Sequence, residues 1–119
     1  MADIHDRSAT VSPVPGRVRI FFDDAEIAST RAAVQLDRPG RPGRLFVPLD
    51  DVHPGILEAS ETTKDDAELG EGRFYTIKTL TADGVDEAWY YPYAEGIFAP
   101  LRGLVTFGGD RVTQRVSSV

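Results

Sequence analysis

The sequence has no cysteine, only two lysines and two histidines, and no apolar run long enough to cross a membrane. Without cysteine, disulfide frameworks, thiol catalysis, thiolate zinc sites and iron–sulfur clusters are excluded together. Two histidines leave little for a nitrogen-ligated metal, and neither a metal nor a cofactor is expected. Phosphate chemistry lacks its usual signatures: there is no G-x-x-x-x-G-K-[ST] loop, no G-x-G-x-x-G turn and no Asp-x-Asp pair. A G-x-S-x-G elbow and an H-E-x-x-H helix are missing too. The N-terminal stretch MADIHDRSATVSPVPGR carries acidic residues and prolines where a signal peptide needs a basic start and an apolar core, so a cytoplasmic protein is expected.

What is present suits one globular domain: 119 residues, 41% hydrophobic, enough to bury a single core without a staple. The net charge of −6 is unevenly spread, because residues 1–49 hold seven arginines against six carboxylates while residues 50–119 hold thirteen carboxylates against six cations. An acidic chain lacks the electrostatic term that drives nonspecific binding to a phosphate backbone, so nucleic acid is not an expected partner.

Residues 1–15, polar and interrupted by Pro13 and Pro15, are expected to be a flexible leader, with a single β-rich domain over 16–119. Val18, Ile20 and Phe22 alternate with Arg17, Arg19 and Phe21, the period of a strand with one buried face. Asp23-Asp24 predicts a turn, and Val34 to Asp37 alternate as a further strand. The two Pro-Gly pairs of 38–43 predict a loop, Leu45-Phe46-Val47 a short buried strand, and 60–72, rich in carboxylates and hydroxyls, a solvated loop. Residues 73–80 and 85–91 predict a hairpin with Gly84 at positive φ in an Asp83-Gly84 turn. A short helical or 3₁₀ segment is expected within 94–101, and a last glycine-turned hairpin over 104–116. The expected class is all-β, with about seven to nine short antiparallel strands.

For chemistry, Asp50-Asp51-x-His53 is the best metal-like set, and backbone-bonded turn aspartates are its simpler reading. Asp65, Asp66, Glu68 and Glu71 do not have calcium-loop spacing. His5 falls in the leader. Trp89, Tyr91 and Tyr93 alternate onto one face with Tyr90 on the other, where phenol tips suit either a pocket or plain core packing. Eleven arginines stand against two lysines, and Arg17, Arg19, Arg31, Arg44 and Arg73 are candidates for one groove in which planar guanidinium clamps a carboxylate or phosphate. Surface ion pairs are the alternative. The expected ligand-binding residues are Arg19, Arg31, Arg44, Tyr75, Trp89 and Tyr91.

A run of motifs carries a resemblance across residues 16–116: Gly16-Arg-Val-Arg-Ile, Ile27-Ala28 with Thr30-Arg31-Ala32, Phe46-x-Pro48-x-x-Asp51-Val52, Leu57-x-x-Ser60, Gly70 ahead of Phe74-Tyr75, Ala88-Trp89-x-Tyr91-Pro92 and Gly103-x-Val105-x-Phe107. In order and spacing it resembles the bacterial domain-of-unknown-function 427 family, also catalogued as nucleotidyltransferases. That resemblance implies a single β-tent-like domain, the fold of translationally controlled tumour protein and methionine sulfoxide reductase B. The family pattern Cys-Pro-x-Lys-Gly would put Asp66 at the cysteine, Ala67 at the proline and Leu69 at the lysine, with Gly70 alone retained. A thiolate and a cation are therefore both missing here.

The expected function is a noncatalytic module that binds a small anionic or aromatic ligand, or a protein partner, through an Arg and Tyr lined groove. A small enzyme of the nucleotidyltransferase type, built on Arg31, Tyr75 and Asp66, is the alternative, and a homodimer joined at sheet edges is a third. On the solvated-loop reading, Asp66→Ala and Leu69→Ala are expected to leave binding within about threefold, less than Arg31→Ala or Tyr75→Phe would.

Overall fold

The computed structural model describes residues 9–117. Ten strands occur among them: β1 (Thr10–Pro13), β2 (Arg17–Phe22), β3 (Ala25–Thr30), β4 (Val34–Asp37), β5 (Arg44–Pro48), β6 (Leu57–Asp66), β7 (Gly70–Lys78), β8 (Asp83–Tyr90), β9 (Leu104–Phe107) and β10 (Val112–Ser117). Seven form one antiparallel sheet in the order β1-β4-β5-β9-β8-β7-β6, and three form a second in the order β10-β2-β3. The protein is all-β, with two 3₁₀ turns, Leu49–Asp51 and Gly96–Leu101. No helix among the described residues is long and apolar enough to cross a membrane.

The alternation in β2 does what its period requires. Val18, Ile20 and Phe22 are buried, while Arg19 points outward. Asp23 and Asp24 both have positive φ, 48° and 70°, as the two-residue turn between Phe22 and Ala25 demands. Core side chains from β2 and β3 pack with Val47, Ile77, Ala88, Val105 and Phe107 of the large sheet, so the main core fills the space between the sheets. Phe46 projects the other way, into a second cluster with Leu36, Leu69, Phe98 and Leu101 beneath the Gly96–Leu101 turn. Strand β5 is thus buried on both faces, which explains its unbroken apolar run.

Four local expectations are corrected. The stretch 60–72 is not a loop: it forms most of the β6–β7 ribbon, whose register runs from Leu57↔Ile77 to Asp66↔Gly70. The β7–β8 turn lies at 79–82, closed by Thr79 N–H to Ala82 O at 3.0 Å, and Gly84 pairs with Ile77 inside the ladder. Gly84 is absent from the positive-φ glycines and is needed for space instead, since a Cβ there would stand 2.9 Å from Phe22 Cε1. Residues 104–116 are not a hairpin: β9 pairs with β5 and β8, whereas β10 crosses to the small sheet and pairs with β2. The fourth concerns the leader, whose end, Thr10–Pro13, pairs with β4; residues 1–8, including His5, lie outside the described residues.

Candidate functional site

The loop between β4 and β5, the tip of the β6–β7 ribbon and the end of β8 enclose a hollow of about 360 Å³. Its walls carry Arg38, Arg41, Arg44, Asp66, Trp89 and Tyr91, with Leu36, Phe46 and Leu69 as the apolar floor. Trp89 pairs with Phe74 across β7 and β8, the two rings stacked with centroids 5.3 Å apart. Its Nε1–H donates to the Tyr91 hydroxyl at 3.1 Å. Gly108 lies against the indole edge: a Cβ there would sit 2.8 Å from Trp89 Cη2, so glycine lets the ring lie flat.

Arg44, at the start of β5, lays its guanidinium 4.8 Å from the Trp89 ring centre. Its Nη1 donates to Phe107 O at 3.2 Å and, at 3.4 Å, to Thr106 Oγ1. Burial pushes its pKa down, and neighbouring Arg38 adds to that. Among the described residues no carboxylate forms an ion pair with Arg44. Burial also pushes the Tyr91 phenol up. The groove therefore presents a half-buried cation, fixed in orientation, beside an aromatic face and a neutral hydroxyl.

Asp66 organises the rim. One oxygen accepts from the Glu68 and Leu69 amides at 2.9 and 3.1 Å, closing the β6–β7 turn. Arg38 Nη1 reaches both carboxylate oxygens at 2.9 and 3.0 Å, and Arg41 lies 3.6 Å away. Burial raises the carboxyl pKa, but the two amides and Arg38 outweigh it and hold it below the ordinary carboxylate value. Asp66 and Leu69 are thus not neutral loop positions: one grips the rim and the other is only 1% exposed. Because the folded pKa is the lower one, Asp66 stabilises the fold above about pH 4 and loses that contribution as pH falls through its folded value. Asp66→Asn should be less stable at pH 7 by about 1.5–3 kcal/mol, the range for hydrogen bonds to a charged group. Urea midpoints of the two proteins should converge as pH is lowered through the acid range, and a gap that stays constant would refute the assignment.

The six expected binding residues are split among three places. Arg44, Trp89 and Tyr91 share the groove. Arg19 and Arg31 line a different hollow, on the small sheet, with Arg17 and Arg115. Tyr75 stacks on Tyr90, centroids 5.4 Å apart, in an apolar slot of about 190 Å³ bordered by Leu49, Pro92 and Arg102. Arg73 is engaged with Glu71 and with the Tyr93 hydroxyl. Arg38 and Arg41 were not among the expected residues; their spacing with Arg44, one arginine every third residue through the Pro-Gly loop, was the available signal.

The metal-like residues are occupied by other partners. Asp51 accepts from the Thr30 hydroxyl at 2.6 Å, and His53 Nε2 lies 2.8 Å from Glu26 Oε2. Among the described residues no group of three or more His, Asp or Glu is placed to hold a metal ion.

No curated protein matches the chain in sequence. A family model described as a domain of unknown function (DUF427) matches residues 10–118, which takes in both sheets and every wall of the groove. The chain belongs to the DUF427 family.

Proposed function

We propose that this domain is a noncatalytic module that binds a small ligand bearing an anionic group on a planar or aromatic body, in the groove of Arg44, Trp89 and Tyr91. The observation that carries the reading is Arg44: a half-buried guanidinium, braced on an indole, with no carboxylate partner among the described residues. A guanidinium so desolvated binds an incoming carboxylate or phosphate more strongly than one in water. The Tyr91 ring and the apolar floor of Leu36, Phe46 and Leu69 offer the area that a planar ligand body covers, while Phe74 and Arg44 lie on the indole. The residues required for transfer chemistry support the noncatalytic reading by their separation. Asp66 is held by Arg38, whereas Arg31 and Tyr75 line two other hollows.

Trp89 is the only tryptophan, so its emission reports on the groove directly. Titration with phenyl phosphate should change that emission saturably, and Arg44→Ala should weaken the binding about tenfold or more, 1.4 kcal/mol. An unchanged emission, or an Arg44→Ala protein that is folded and binds equally well, would overturn the proposal.

A further inference from the structure

We propose that the outer face of the small sheet holds a second and separate site, which binds a compact polyvalent oxyanion of the phosphoryl class. The hollow there measures about 480 Å³ and is walled by Arg17, Arg19, Arg31 and Arg115. The antiparallel register sets Arg19 directly opposite Arg115, with Arg17 two residues further along β2. Like charges facing each other across a ladder repel. A face built this way is stabilised by an anion lying between the two cations.

Four arginines outside this hollow meet carboxylates, Arg38 and Arg41 at Asp66, Arg73 at Glu71 and Arg111 at Asp23, whereas Arg44 and Arg102 form no ion pair with a described residue. In this hollow, among the described residues, the one carboxylate within ion-pair reach is Glu26, 3.8 Å from Arg19 Nε, and its other oxygen is already shared with His53. Arg17, Arg31 and Arg115 form no ion pair with any described residue. The imbalance arises in a chain whose net charge is −6, so it is a local feature rather than a general basic surface.

Two of the four guanidiniums are also steadied. Arg17 Nη1 donates to Ser29 Oγ at 2.8 Å, and Arg115 lies 5.0 Å from the centre of the Phe21 ring. Holding side chains in place before binding lowers the entropy lost on association. The phosphoryl class follows from donor arithmetic: four guanidinium forks supply more N–H groups than the oxygens of one carboxylate can accept. Linked phosphoryl groups bring several charged oxygens per centre.

The test is calorimetric titration of the full chain with inorganic tripolyphosphate at low ionic strength, with citrate as the polycarboxylate comparison. One tripolyphosphate should bind per chain, and citrate about tenfold more weakly. Arg19→Gln and Arg115→Gln should each weaken tripolyphosphate about tenfold or more, while Arg44→Ala leaves it unchanged, which separates this site from the groove. Arg31→Gln follows the end of β3 on an exposed position and keeps the test valid should a strand variant fail to fold. Absence of binding, retention of affinity in folded Arg19→Gln, Arg115→Gln and Arg31→Gln, or citrate binding as tightly as tripolyphosphate would each overturn the proposal.

Discussion

Leu69→Ala is expected to lower the free energy of unfolding by about 2–5 kcal/mol, the range for truncating a fully buried leucine. The side chain sits at the β6–β7 turn but points into the second cluster, against Phe46, Leu36, Phe98 and Leu101. Removing it leaves a void that these neighbours fill only in part, because they belong to two strands and a 3₁₀ turn fixed by other contacts. It also opens the floor of the groove beneath Trp89 and Tyr91. Equilibrium urea unfolding measures the effect, and a midpoint equal to that of the parent protein would show that Leu69 is not part of the core.

Gly84→Val should destabilise by about 1–3 kcal/mol or more, as forced overpacking does. The new Cβ alone would stand 2.9 and 3.0 Å from Phe22 Cε1 and Cζ and 3.0 Å from Glu87 Oε1. Phe22 is fully buried between the sheets and has no room to withdraw. The cause is separable from a backbone effect. If the clash is with Phe22, Gly84→Ala will also destabilise, and Phe22→Leu will recover part of that loss in the double mutant. Additive losses in denaturant melts would refute the contact.

Those two positions show where reading the residues succeeds and where it stops. Period-two alternation identified β2 correctly, and paired aspartates marked its turn, because both signals are local. The same logic misread Asp83-Gly84. Asp-Gly is the commonest chemistry of a tight turn, yet here glycine answers a side chain from the other sheet, 62 residues earlier. Residues 60–72 of the β6–β7 ribbon were read as a loop because much of β6 is exposed on both faces, so burial imposes no apolar period on it, whereas most of β7 was read as a strand. Residues 104–116 have hairpin composition, and nothing in their pattern records that Gly108–Arg111 carries the chain from one sheet to the other. For the site, Trp89, Tyr91 and Arg44 were legible as chemistry. Their meeting with Arg38 and Arg41 depends on a loop folding back over the ribbon tip, which is tertiary.

The crossing of β10 to the small sheet has a consequence for the order of events as the chain is made. Val112 must find Phe22, and Arg115 must find Arg19, across most of the polypeptide. Contacts of such long separation are slow to form, since closing the intervening loop costs entropy before any pairing rewards it. Until residues 112–117 have emerged from the ribosome, β2 is an open edge, a ready template for another strand. The β2–β3 hairpin can form early, but the four-arginine hollow cannot exist until the last strand docks. The basic surface is completed only when β10 docks, so a chain lacking residues 112–117 would keep Arg17, Arg19 and Arg31 but lack the Arg115 that faces Arg19.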